Sequence, residues 1–312
     1  MTYKNYFKFG YNNEWFNSRQ SSEDIWMASY GACERQASDF KSECYATARL
    51  IRDTTTGPLT LLFSGGVDSE VVLRSFHDQG IPINVAICQF NNNLNIFDIS
   101  YAIVCCNQLN VPYKLVQLDI LKFLEQEVFD YCTRVNLSSP ELSTSMWLAD
   151  QVDGIPIGGS GDSPIEKHMN KWYLYEKEYG CCWYRHFFMT GKERMAVPRF
   201  FQYTPELLLS FIQDDTFVNM IKENTQKSNV DITGLTIKLS MYQKYFPVSS
   251  RMKYGGFEQL GNQLKNIRRE LLKKPITSLA IYLTEYNDII KMLNNKWDGS
   301  HKGIIKYFKN TV

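Results

Sequence analysis

One stretch decides the fold: Leu59-Thr60-Leu61-Leu62-Phe63-Ser64-Gly65-Gly66-Val67-Asp68-Ser69-Glu70. The residues before Ser64 predict a short buried strand, and the apolar spacing from Val71 to Phe76 predicts a helix directly after the turn. Two adjacent glycines let the chain turn tightly and bring backbone N–H groups close to an anion, where a Cβ would collide. The helix adds unpaired N–H donors and the positive end of its dipole. The turn is therefore expected to bind a polyphosphate.

The polar side chains of this turn suit the same ligand. Ser64 and Ser69 supply hydroxyl donors, and Asp68 supplies a hard oxygen for Mg²⁺. The common nucleotide loop, G-x-x-x-x-G-K-[ST], is absent from the sequence. The turn is thus expected to be a phosphate loop of another kind.

The segment Ser64-Gly65-Gly66-Val67-Asp68-Ser69 at the end of a first strand resembles the pyrophosphate loop of the N-type ATP pyrophosphatases. That superfamily includes GMP, NAD, asparagine and argininosuccinate synthetases and several tRNA-modifying enzymes. The resemblance implies a doubly wound, mostly parallel α/β sheet of the adenine nucleotide α-hydrolase type. It also implies that ATP and Mg²⁺ are the cofactors and that ATP is cleaved between its α and β phosphates. AMP is placed on a substrate oxygen, PPi leaves, and a nucleophile then displaces AMP.

A second glycine-rich turn, Gly158-Gly159-Ser160-Gly161-Asp162-Ser163, follows a short apolar strand. It resembles the G-x-G-x-D segment of the asparagine-synthetase and β-lactam-synthetase branch. The resemblance implies that Asp68 and Asp162 hold Mg²⁺ between them and that Gly159 and Gly161 line the phosphates. The sequence departs from that branch after Asp162, because Ser163-Pro164-Ile165-Glu166 replaces its usual acidic and Phe/Tyr-Gly residues.

The glutamine-using members of that branch begin with a catalytic cysteine, whereas residue 2 here is threonine. The stretch before Leu59 is also too short for a glutaminase domain. We therefore expect the nitrogen donor to be an amine or ammonia that is not made from glutamine within this chain.

Strand and helix patterns alternate between residues 38 and 158. The predicted strands are 59–63, 83–90, 113–118 and 155–158, and the intervening helices include one with Phe97, Tyr101, Val104 and Cys105 on its apolar face. Such alternation predicts a mostly parallel sheet covered on both faces. Ligands of these sheets bind outside the carboxyl ends of the strands, where both glycine turns would lie.

The composition excludes several classes of protein. Apolar residues make up 44% of the 312 residues, the net charge is +1, and there is no uninterrupted apolar stretch long enough to span a membrane. The N-terminus has no apolar signal core, so a cytoplasmic location is expected. Eight cysteines without a C-x-x-C pair predict reduced thiols, and the four histidines do not have metal-ligand spacing.

Three regions are expected: an aromatic N-terminal arm over residues 1–37, a pyrophosphate-loop domain over 38–165, and a helical acceptor-substrate region over 166–312. From Gln263 onward, ten Lys and Arg residues accompany four Asp and Glu residues. A basic segment of this kind could contact tRNA or DNA. Its charges are spread rather than clustered, which favours a solvated helix face. Oligomeric state is left open.

The candidate site follows from the two turns and from nearby cations that could complete a phosphate clamp. The candidate catalytic residues are Asp68, Asp162, Lys167, Lys244 and Arg251, and the candidate metal ligands are Asp68 and Asp162. The candidate ATP-binding residues are Ser64, Gly65, Gly66, Val67, Asp68, Ser69, Phe90, Gly159, Ser160 and Gly161.

The function expected from these residues is ATP-dependent adenylation of a small acceptor with release of PPi, followed by attack of an amine or ammonia. One alternative is adenylation of a base in tRNA or DNA for amination or thiolation. An alternative of another class is a nucleotide-binding module that has lost turnover. Asp68 and Asp162 argue against the last, since a binder could dispense with the metal pair.

Overall fold

The structure is a computed structural model that describes residues 6–160, 165–168, 170–189, 194–223, 235–252, 254–274, 280–296 and 304–307. The strands in these ranges are β1 Phe7–Tyr11, β2 Glu14–Trp15, β3 Trp26–Tyr30, β4 Leu59–Leu62, β5 Asn84–Phe90, β6 Tyr113–Leu118, β7 Ile155–Gly158, β8 Ile165–His168, β9 Lys171–Lys177, β10 Ala280–Glu285 and β11 Ile304–Tyr307. The α-helices are α1 Phe40–Thr54, α2 Val67–His77, α3 Ile96–Gln108, α4 Ile120–Gln126, α5 Val128–Arg134, α6 Pro140–Asp150, α7 Cys182–Phe188, α8 Pro205–Ile212, α9 Asp215–Glu223, α10 Leu235–Tyr245, α11 Gly261–Leu272 and α12 Tyr286–Leu293.

Strands β4 to β7 form a parallel sheet in the order β6-β5-β4-β7. Leu62 of β4 lies opposite Ala86 of β5 on one side and Gly158 of β7 on the other. The chain steps outward from β4 to β6 and then returns to the opposite side of β4, so the strand order reverses at β4. The α/β class and the mostly parallel sheet expected from the sequence are confirmed.

The sheet is covered on both faces. Leu61 of β4 and Ile87 of β5 belong to one hydrophobic cluster, together with residues of α1, α2 and α3. Their neighbours Leu62 and Ala86 belong to a second cluster, with residues of α4, α5, α6 and α11. Alternate strand residues point to opposite faces, so the two clusters are the two sides of a doubly wound sheet.

The expected apolar face of α3 is wrong in part. The residues of α3 that are buried are Ile99, Ala102, Cys105 and Cys106, whereas Phe97 is 62% and Val104 53% exposed. Small side chains face the core because α3 packs closely on the loop after β4, where the Asp98 carbonyl oxygen approaches Gly65. The larger Phe97 ring lies instead against Tyr254, with ring centroids 5.7 Å apart.

The N-terminal region contains a three-stranded antiparallel sheet in the order β2-β1-β3. The aromatic residues of β1 and β3 are buried, and Phe7 packs on Tyr184 of α7 with ring centroids 5.5 Å apart. The strands were not predicted, although Trp26, Ala28 and Tyr30 alternate with more exposed residues as a strand requires.

Buried ion pairs join this N-terminal sheet to β9 and the residues after it. Glu178 accepts hydrogen bonds from Arg19 Nε at 2.8 Å and from the Tyr11 hydroxyl at 2.6 Å. Glu176 accepts from the Tyr30 hydroxyl and from Arg199 Nη1, both at 2.7 Å. Each buried carboxylate is therefore neutralised and hydrogen-bonded, as burial of a charge requires.

The region after residue 166 is helical from α7 to α12, but it also contains an antiparallel sheet in the order β11-β10-β9-β8. Helix was expected through Trp172, Tyr173 and Tyr175, which instead lie in β9. Strand β9 is buried on both faces, so its sequence lacks the alternation that identifies a half-buried strand. Among the described residues, no helix combines the length and the apolar character needed to cross a bilayer.

Candidate functional site

The turn after β4 has the backbone geometry that its sequence predicts. Gly65 has φ +74°, and a Cβ there would lie 2.2 Å from the carbonyl oxygen of Asp98. Both the positive φ and this contact require glycine. Gly66, with φ −74°, is the N-cap of α2 and has no side chain to cap the helix. The first N–H groups of a helix have no partner within it, so those of α2 remain as donors at the turn.

Two serine hydroxyls flank this helix start. Ser64 Oγ and Ser69 Oγ are 3.4 Å apart, and Ser69 Oγ donates to the Gly66 carbonyl at 2.9 Å. A Cβ on Gly66 would lie 3.3 Å from Ser64 Oγ and 3.9 Å from Ser69 Oγ. The space in front of Gly66 therefore opens between two hydroxyl donors. Val67 points into the core, so it can contribute only its backbone to a ligand.

The second glycine turn lies against the first. Strands β4 and β7 are neighbours, and a Cβ on Gly159 would lie 2.7 Å from the Cβ of Ser69. Ser160 follows and is half-buried. The two strands are therefore neighbours, which the metal pair requires. Gly161 and Asp162 lie outside the described residues, so the metal pair remains a prediction.

Asp68, in the first turn of α2, is contacted by two side chains of α10. Lys238 Nζ lies 2.9 Å from both Asp68 carboxylate oxygens, and the Tyr242 hydroxyl donates to Oδ1 at 2.8 Å. The Tyr242 ring is stacked on Phe40 and Phe201, with centroids 5.7 and 6.0 Å away. Sequence reasoning placed a helix here but missed both contacts. No local pattern signals a partner 170 positions away.

The three cations expected in the clamp lie in different places. Arg251 is beside the loop, with Nη2 2.7 Å from Glu70 Oε2. Lys167 is 1% exposed in β8, with Nζ 5.8 Å from the Trp172 ring centroid. Lys244 forms an ion pair with Asp214 at 3.1 Å. Of the three, the structure brings only Arg251 to the first turn of α2.

Arg251 has a hydrogen-bond donor that is not used within the described residues. Its side chain is 8% exposed and lies over the Tyr101 ring, and its Nε has no hydrogen-bond partner among the described residues. Its partner Glu70 also accepts from Arg74 Nε at 2.9 Å. Two guanidinium groups thus share one carboxylate, which leaves net positive charge at the start of α2.

A cavity of about 430 Å³ opens at the carboxyl ends of β4 and β5, next to Ser64. Its walls are largely apolar and include Phe90, Leu142, Leu148 and Phe257. The Phe90 and Phe257 rings meet edge to face, 5.2 Å apart. The size and the flat apolar walls suit a nucleoside. Phe90, expected to contact the nucleotide, forms one wall.

The oxygen atoms at the loop are suitable ligands for a Mg²⁺ ion that arrives with a nucleotide. Among the described residues, no group of three His, Cys, Asp or Glu side chains could hold a metal by itself. Mg²⁺ is usually held by one or two carboxylates together with substrate phosphates. Asp68 provides such a carboxylate at the mouth of the cradle formed by Ser64, Gly66 and Ser69.

All eight cysteines are described, and all are free thiols. Burial raises the pKa of Cys88, which lines the cavity, to about 12, and that of Cys106 to about 11. Burial also raises the pKa values of the other six. Because the thiolate is the nucleophilic form, these residues are poor nucleophiles at neutral pH.

We expect slow reaction of the native thiols with a disulfide reagent at pH 8 and rapid reaction after denaturation. The unfolded thiols titrate near pH 8.5, so the folded state holds its thiol protons more tightly. The stability that this provides is fully present below about pH 8.5 and is lost as pH rises toward about 12. Labelling followed by peptide mass spectrometry tests the first point. Modification of Cys88 at the rate of a free thiol would contradict it.

Comparison with known proteins gives distant structural matches, which include an NMN synthetase and an NAD synthetase. No protein-family model matches the sequence, and no curated protein matches it significantly. The structure of NMN synthetase from Francisella tularensis is similar at 14% identity and a TM-score of 0.32, covering 82% of this chain and 92% of that one. NH3-dependent NAD synthetase from Campylobacter jejuni is similar at 12% identity and a TM-score of 0.32, covering 73% and 92%. Likeness at this level identifies neither a family nor an activity for the chain.

Proposed function

We propose that the protein is an ATP-dependent, AMP-forming enzyme that adenylates an acceptor, releases PPi and then lets an amine or ammonia displace AMP. One observation carries the proposal: two glycine-rich turns touch through Gly159 and Ser69 where the strand order of a parallel sheet reverses. Open sheets of this class bind ligands at that place. The free N–H groups at the start of α2 and the Ser64 and Ser69 hydroxyls favour a polyphosphate as the ligand.

The binding steps use groups of this chain. The cavity beside Ser64 would take the nucleoside against the rings of Phe90 and Phe257. The N–H groups at the start of α2, with the Ser64 and Ser69 hydroxyls, would bind the β and γ phosphates. The unpaired Arg251 Nε lies near that helix start and adds positive charge. Donors fixed in place before the reaction stabilise developing charge without reorganisation.

Mg²⁺, held by Asp68 and by Asp162 as the motif implies, would neutralise the charge that develops on the leaving PPi. In the first step an acceptor carboxylate oxygen bonds to the α phosphorus, and the α–β phosphoanhydride bond breaks. In the second step the amine bonds to the acyl carbon. The C–O bond breaks, the oxygen leaves with AMP, and a proton is released from the amine.

The raised thiol pKa values favour attack by nitrogen over thiolation. Carrying sulfur on a lone cysteine needs a reactive thiolate, and the pKa of every described cysteine is raised by burial. Attack by an amine or ammonia is therefore the form of the second step that we propose, with a small carboxylate as the acceptor that the resemblance implies.

The products of ATP turnover test the proposal. We expect AMP and PPi, formed only with a carboxylate acceptor and an ammonium salt, as measured by anion-exchange chromatography over a panel of acceptors. With an ¹⁸O-labelled carboxylate, one labelled oxygen should appear in AMP, because that oxygen leaves with the nucleotide. ADP and phosphate as the main products would overturn the proposal. ATP binding without turnover across the panel would instead indicate a binding module.

A further inference from the structure

The contact between α10 and Asp68 puts an ammonium group in an unusual position. Lys238 Nζ lies 2.9 Å from each of the two Asp68 carboxylate oxygens. This is where a cation chelated by that carboxylate would sit. The two side chains are 14% and 22% exposed, so the pair is largely shielded from water. One carboxylate thus serves two cations, the lysine in this structure and the metal in the proposed reaction.

We propose that Lys238 and the divalent ion compete for Asp68, and that the ion displaces Lys238 onto the polyphosphate. This rests on the proposed function for the identity of the polyphosphate. Lys238 is then a positioning residue: it neutralises Asp68 when the site is empty and adds a positive charge to the phosphates when the metal is bound.

The fold allows the ammonium group to move while α10 stays in place. Tyr242 lies one turn after Lys238 on the same face of α10, and its ring packs against both Phe40 and Phe201. The helix is thereby fixed to the core. The lysine stem has four carbons and carries a point charge with three donors, so its Nζ can shift between oxygens that lie close together.

The phosphate cradle includes Ser69, the residue next to Asp68. The Ser69 hydroxyl faces Ser64 across the mouth of the turn. A polyphosphate bound there brings negative charge beside Asp68. A divalent cation and the Lys238 ammonium group repel each other strongly when both lie against the Asp68 carboxylate. The arriving ion therefore displaces Lys238, and the negatively charged phosphates attract it.

A purely structural tether is the competing explanation. In that case Lys238 only holds α10 against α2, and removing it would lower stability without changing cation affinity. Metal binding in the absence of nucleotide separates the two explanations, because competition predicts a gain in affinity and a tether does not.

The test compares Lys238→Met with Lys291→Met, which removes a lysine from an exposed pair with Asp288. Mn²⁺ binding to nucleotide-free protein is measured by electron paramagnetic resonance, and ATP binding at saturating Mn²⁺ by calorimetry. For Lys238→Met we expect about tenfold tighter Mn²⁺ binding to the nucleotide-free protein and about tenfold weaker ATP binding at saturating Mn²⁺. Lys291→Met should change neither. The gain in Mn²⁺ affinity should vanish when Asp68→Asn is added, which places the ion at Asp68.

Unchanged Mn²⁺ affinity in Lys238→Met would overturn the inference, and so would a gain that persists in the double variant. Unchanged ATP affinity at saturating Mn²⁺ would overturn the transfer of Lys238 to the phosphates. If the unsubstituted protein binds no ATP, the proposed function is wrong. The Mn²⁺ comparison would still decide whether Lys238 competes at Asp68.

Discussion

Replacing Gly66 with valine is expected to weaken ATP binding on the order of a hundredfold while the protein stays folded. Gly66 has φ −74° and ψ 156°, a conformation that valine adopts readily. A side chain there would project between the Ser64 and Ser69 hydroxyls, with its Cβ 3.3 Å from Ser64 Oγ. It would fill the space proposed for the phosphates. Calorimetry with ATP and a thermal melt measure the two parts of this prediction.

A matched control is Gly261→Val, because a Cβ at Gly261 would meet no atom within 4 Å. That variant should bind ATP like the unsubstituted protein. Sequence alone would have suggested Gly65→Val as the test. A Cβ at residue 65 would collide with the Asp98 carbonyl oxygen, and φ at this residue is positive. Loss of folding in that variant would therefore obscure any loss of ATP binding. ATP affinity unchanged in a folded Gly66→Val protein would refute the phosphate cradle.

Asp68→Asn and Asp162→Asn are each expected to slow PPi release by a factor of about 10² to 10³. If the two carboxylates hold one Mg²⁺, either substitution removes charge stabilisation that matters most as PPi departs. The backbone and serine donors remain, so ATP affinity should change much less. The double variant should be little slower than either single variant, because the two residues act as a unit. Single-turnover measurements with saturating ATP give these rates.

Asp130→Asn is a suitable control, since Asp130 forms an exposed pair with Arg134 far from either glycine turn in sequence. It should leave the rate unchanged. Losses that simply add in the Asp68 and Asp162 double variant would show that the two carboxylates act independently. That outcome would refute the hypothesis that Asp68 and Asp162 hold one Mg²⁺, even if each single variant were slow.

The strand–turn–helix unit around Gly65 and the parallel sheet could be predicted because their signals are local. The strand ending at Leu62, the turn at Gly65 and the helix from Val67 are consecutive in the chain, and each needs only its own residue types. The sequence placed both glycine turns at the carboxyl ends of parallel strands, but that β4 and β7 are neighbours is seen only in the structure.

Other features depend on contacts that the sequence does not show. Lys238 and Tyr242 reach Asp68 across 170 and 174 positions, and no motif marks them. The apolar face of α3 was misjudged because close packing selects small side chains, whereas the prediction weighted large ones. Strand β9 was taken for helix because it is buried on both faces and its sequence does not alternate.

The buried pairing of Arg19 with Glu178 has a consequence for synthesis of the chain. The two residues are 159 positions apart, so the N-terminal sheet emerges from the ribosome long before its charged partner. At typical translation rates that delay is on the order of ten seconds. During it, the aromatic residues of β1 and β3 have no completed core to join. The N-terminal sheet is thus synthesised well before the residues that complete its buried ion pair.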